Sequence, residues 1–219
     1  MAAYPTRVTD PLIVIDKEAF DRLRDDERFW CLVALARAVN SFRFCYSALA
    51  STSGNSNSAV RAKRSSFLFI CALFTEVQTL VGNMGRYFRD FGTFQELSRA
   101  INSQNVQSLL KSTLRPVRNT QVFHFDPADT GKQLKWALLP TAPVFLSATG
   151  TTDGETYWEL ADLCSMSTFL QGPDLQEEGL PEIIDSRIRN TIDVTIQFVK
   201  AAEAFLVDAL ENRSNWITP

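Results

Sequence analysis

Histidine is almost missing from this chain: one, His124, in 219 residues. Imidazole chemistry near neutral pH therefore passes through that single position. Cysteine is also scarce, with four at positions 31, 45, 71 and 164 and no Cys-x-x-Cys pair. One imidazole and dispersed thiols do not supply the tetrahedral N/S shell of a zinc site, so no metal or cofactor is expected. Cys31, Cys45 and Cys71 fall inside apolar helical runs, the setting of buried, reduced thiols. A positive balance is lacking too: the formal net charge of -3 leaves no global footprint for nucleic acid, and such binding would need a local basic patch. No run reaches the length of a membrane span, and Met1-Ala2-Ala3-Tyr4-Pro5-Thr6-Arg7 has no apolar signal core. The expected address is the cytoplasm, with no membrane partner.

Apolar residues are plentiful. At 45% hydrophobic and 11% aromatic, the chain can bury a sizeable core as one domain spanning residues 1–219. Residues 1–15 end in Leu12-Ile13-Val14-Ile15 and read as an arm packed on the body. Asp16 fits the N-cap of a short helix through Phe20 and Leu23. From Phe29 to Ala50, Leu32, Leu35, Val39, Phe42, Tyr46 and Leu49 recur at helical spacing. Residues 51–58, all turn-favouring, form a loop. Arg61, Lys63 and Arg64 follow at the mouth of the next helix, either a solvated helix end or a phosphate-tracking patch.

The next helix has the clearest pattern. Phe67, Ile70, Phe74, Val77, Val81, Met84, Phe88 and Phe91 alternate in steps of three and four, so this aromatic stripe is core. Phe94, Leu97, Ala100 and Ile101 predict a short helix, and Val106, Leu109 and Leu110 another. Asn102-Ser103-Gln104-Asn105 forms a capped junction between them. Pro116 fits the first turn of a further helix that stops by Asp126, ahead of Pro127. Residues 127–180 read as an insertion containing a β-hairpin around Gly150-Thr151-Thr152-Asp153-Gly154, with the stretch 162–170 open between strand and helix. Pro181 then opens a last helix whose apolar face is Ile184, Ile188, Ile192, Thr195, Val199, Ala202, Leu206 and Ala209, ending near Asn212. The predicted fold is mainly α, an up-and-down bundle of four to five main helices with a small β-hairpin insertion.

The lone histidine lies in Leu114-Arg115-Pro116-Val117-Arg118-Asn119-Thr120-Gln121-Val122-Phe123-His124-Phe125-Asp126. Arg118, the polar Asn119, and His124 after five intervening positions resemble the signature of the HEPN family (higher eukaryotes and prokaryotes nucleotide-binding domains). That resemblance implies a helical bundle acting as a metal-independent endoribonuclease. It also implies a homodimer with two motifs facing each other across a cleft, an RNA substrate, and in some members a role as a toxin or phage-defence effector with a protein inhibitor. Many HEPN toxins carry tyrosine two residues after the histidine. Here that residue is Asp126, and the Phe-His-x-Asp ending is closer to members from abortive-infection systems.

On an ideal helix Arg118 and His124 are separated by about 240°, so they converge on one phosphate only through a local break or a second copy of the chain. By the resemblance, His124 is the general base or acid, Arg118 the phosphate clamp, and Asn119 an orienting group. Asp126 either holds the second ring nitrogen or caps the helix end. Arg61, Lys63, Arg64 and Arg115 are candidate RNA contacts. A non-catalytic helical interaction protein, with Arg118 and His124 structural, is the alternative.

Overall fold

The computed structural model describes residues 17–51, 57–115 and 180–212. These residues form a bundle built almost wholly of helix: α1 (Lys17–Leu23), α2 (Glu27–Ser51), α3 (Asn57–Phe88), α4 (Gly92–Ile101), α5 (Gln104–Leu109) and α6 (Leu180–Glu211). α5 runs directly into a π-helical turn, Leu110–Leu114. No strand occurs among the described residues; the hairpin expected within 127–180 and the arm of residues 1–15 lie outside them.

Short polar signals set the helix ends. Asp26 starts α2: its Oδ1 accepts from the Arg28 backbone N–H at 2.8 Å, and its carbonyl accepts from Trp30 N at 3.0 Å. This satisfies donors that a helix start leaves unpaired. Arg28 Nη2 returns to Asp26 Oδ2 at 2.6 Å. That guanidinium holds the Asp26 carboxyl below its ordinary range. Ser103 accepts from Val106 N at 3.4 Å and caps α5, in the junction that the sequence predicts. The loop expected over 51–58 is shorter than that, since Ser51 closes α2 and Asn57 opens α3.

α2 and α3 run antiparallel. Near one end Glu27 receives hydrogen bonds from Arg86 Nη2 at 3.2 Å and from the Tyr87 hydroxyl, and midway Phe42 meets Phe74 with ring centroids 4.9 Å apart. α6 follows the direction of α3, because Phe198 packs on Phe74 at 6.0 Å and Phe205 on Phe88 at 5.3 Å. α4 lies against α6 through Phe94 and Phe205 at 5.2 Å, and through the Thr93 hydroxyl on Asp208 Oδ2 at 2.5 Å.

The α3 stripe is buried from Phe67 through Phe88 as its spacing predicts. The helix ends at Phe88, however. Phe91 has an extended backbone (φ -77°, ψ 126°) at the start of α4, and its ring still reaches Phe88 and Phe205, at 5.9 and 6.3 Å. Ser65–Phe88 is long and apolar enough to pass a membrane-span criterion, at mean hydropathy 1.5, so the expectation that no run reaches that length is corrected. Its apolar stripe is turned inward against α2 and α6.

α6 is turned relative to its predicted face. Thr191, Val194, Thr195, Phe198, Ala202, Phe205 and Ala209 are buried, whereas Ile192, Val199 and Leu206 are half-buried. The two phenylalanines supply the larger volume, and the core of α3 opposite is itself aromatic. α2 departs in another way: Leu32, Leu35, Val39 and Phe42 are buried, but Tyr46 is exposed and Trp30, Val33 and Phe44 stand on the outside.

Candidate functional site: the approach to the Arg/His segment

Arg118, Asn119, His124 and Asp126 lie outside the described residues. The described chain ends three residues short of Arg118, at Arg115, and shows how that approach is held.

α5 and the π turn form one run on the flank of α3. Leu109, Leu110, Thr113 and Leu114 are buried on its inner side, and Lys111, Ser112 and Arg115 are exposed. A π turn holds one residue more than an α turn, and such turns inside helices are frequent at functional positions. Arg115 is still helical at φ -67°, ψ -46°, although a residue preceding proline is biased away from that region. The sequence places Pro116 in the first turn of a new helix; the described chain reaches it from a helix already running.

A directed chain of side chains fixes the end of this run. Arg115 Nη2 donates to Gln78 Oε1 at 2.6 Å. Gln78 Nε2 donates to Gln107 Oε1 at 3.2 Å, and Gln107 Nε2 donates to the Ile101 carbonyl at 3.1 Å. A guanidinium only donates, so Gln78 must turn its oxygen to Arg115 and its NH2 to Gln107. Each amide orientation follows from the one before. The segment leading to the motif is thereby tied to α3 and to the C-terminal end of α4.

The basic cluster is elsewhere. Arg61, Lys63 and Arg64 fall in the first turns of α3, inside the helix. Lys63 is half-buried, and the side chains of Arg61 and Arg64 are outside the described set. From Lys63 to Gln78 is roughly 22 Å along the axis. Arg115, held at Gln78, is therefore not brought into one site with that cluster.

The described thiols are held in their protonated form by burial. Burial pushes Cys31, Cys45 and most strongly Cys71 above the ordinary thiol range. Between α2 and α6 lies a cavity of about 410 Å³. Its walls include Phe42, Tyr46 and Val199, and its one arginine, Arg43, lies 2.5 Å from Glu203 Oε1.

Sequence reasoning found Arg115 but not its partners. Gln78 adjoins the buried Val77 and carries no motif, and its meeting with Arg115 spans 37 positions. No family model matches the chain, and no curated protein and no solved structure matches it.

Proposed function

We propose that this protein is a metal-independent endoribonuclease of HEPN type that works as a homodimer, with a cytoplasmic role as a toxin or phage-defence effector held by a protein inhibitor. The observation that carries the reading is Arg118-Asn119 followed by His124, directly downstream of an anchored helix in a helical bundle. RNA cleavage without a metal requires removal of the ribose 2′-OH proton, attack of that oxygen on the adjacent phosphorus, and protonation of the departing 5′-oxygen. His124 takes or gives the proton, and Arg118 balances charge on the phosphorane with its planar fork. Asn119 orients the phosphate or the imidazole, and Asp126 holds the ring or caps the helix end. The β-hairpin within 127–180 belongs to this reading as an insertion flanking the motif, serving as a lid or a dimerisation element. The test is cleavage of a labelled RNA by purified protein: His124→Ala should abolish it with unchanged melting, and equal cleavage by both proteins would remove the enzyme.

A second reading, a non-catalytic helical interaction protein, is favoured by one specific observation. Trp30, Val33 and Phe44 are 53%, 52% and 74% exposed on one side of α2, more apolar surface than that helix needs to cover the core. Loss of a protein complex on Phe44→Glu, with RNA untouched by the wild type, would favour it.

A further inference from the structure

A groove of about 480 Å³ opens between α3 and α4. Gly82 and Gly85 of α3 and Arg89 in the turn after it form one wall, and Gln95, Ser98 and Arg99 of α4 with its C-cap Asn102 form the other. No carboxylate lines it. Arg89 and Arg99 are exposed and make no ion pair among the described residues. Two uncompensated guanidiniums among amides and a hydroxyl form an anion-selecting lining.

The floor gives the groove its depth. A Cβ at Gly82 would meet nothing within 4 Å, and one at Gly85 would meet only Phe94 Cε1, at 3.9 Å. These glycines are thus not required by packing; their effect is to leave a channel. Gln78, Gly82 and Gly85 recur at steps of four and three, so they share one face of α3 over roughly 10 Å, and Arg89 stands in the turn just past the end of that helix. At its Asn102 end the groove meets the chain that holds Arg115: Gln107 Nε2 donates to Asn102 Oδ1 at 3.4 Å, and Gln107 in turn accepts from Gln78, which accepts from Arg115. Phe94, the aromatic residue in the lining, is buried at 4% exposure and offers no ring face for a base to stack on.

We propose that this groove binds the phosphodiester backbone of single-stranded RNA, with Arg89 and Arg99 contacting phosphates along a path that ends at Arg115. For the identity of the ligand this rests on the ribonuclease reading. With charge and no stacking surface, the groove reads backbone rather than base, so binding is sequence-tolerant and falls steeply with salt.

The experiment measures binding of a fluorescein-labelled oligouridylate by anisotropy over a salt series, using the full chain carrying His124→Ala to prevent cleavage. Arg89→Ala with Arg99→Ala should lower the salt slope by about 1.4 and weaken binding about 25-fold at 0.1 M salt. The paired lysine variants should keep most of the slope. Gly82→Glu, which places a carboxylate over the open floor, should weaken binding at least as much without lowering the melting temperature. Wild-type affinity and slope in both the double alanine and the Gly82→Glu variants would overturn the groove, while His124-dependent cleavage would leave the nuclease reading intact. Arginine-dependent binding with no cleavage by wild type would keep the groove and remove the nuclease. No binding even at low salt would remove both.

Discussion

The groove between α3 and α4 and the cavity between α2 and α6 are similar in size, about 480 and 410 Å³, and each is lined by two basic residues, but only the second also carries a carboxylate. In the second, Arg43 faces Glu203 at 2.5 Å, with Lys200, Tyr46 and Val199 among the rest of the wall. In the first, two arginines share the space with amides and glycine, and no acid answers them. Arginine is present in both; what differs is whether the neighbouring helix returns a carboxylate. A count of basic residues would treat the two alike.

The comparison can be broken from below. Phe205 sits under α4, touching Phe88, Phe91 and Phe94. Phe205→Ala should cost about 3–5 kcal/mol by urea unfolding and loosen the first groove far more than the second. Asp26 contacts neither groove and serves as a control: Asp26→Ala should cost about 1–2 kcal/mol with RNA affinity per folded molecule unchanged. Its folded carboxyl titrates below its unfolded value, so its contribution is complete above the ordinary carboxylate range and is lost as pH falls through the lowered folded value. Asp26→Asn should therefore flatten the acid limb of a stability profile. Thr93→Val removes the tie from the first turn of α4 to Asp208 and should cost about 1 kcal/mol by thermal unfolding.

The smallest effect on stability sharpens the contrast most. The Arg43 and Glu203 side chains are 62% and 34% exposed, so Glu203→Gln should change stability by about 0–1 kcal/mol. By freeing Arg43, it should raise RNA affinity at low salt. Gln95→Glu, the converse change in the first groove, should lower affinity.

Much of the bundle was legible in the sequence because α3 holds one unbroken stripe, and because Ser103 carries its capping preference locally. α6 was less so. With Ile, Val, Leu and Phe on adjoining positions, several faces satisfy the helical period, and which one turns inward is decided by the aromatic rings of α3, remote in sequence. The same limit applies to the approach to the motif: Arg115 could be read as a cation beside Pro116, but its anchoring by Gln78 and Gln107 is a tertiary fact. Gly82 and Gly85 carry a signal in the sequence itself, two missing side chains on one face of a helix that otherwise fills its positions.

Cys71 is wholly enclosed while Cys31 is half-buried, and the two sit on neighbouring, antiparallel helices. A thiol reagent added to the native protein should reach Cys31 first and Cys71 only when α2 and α3 part, so the order of labelling works as a stopwatch for opening of the interior. The molecule carries its own clock, readable by mass spectrometry without introducing a new cysteine.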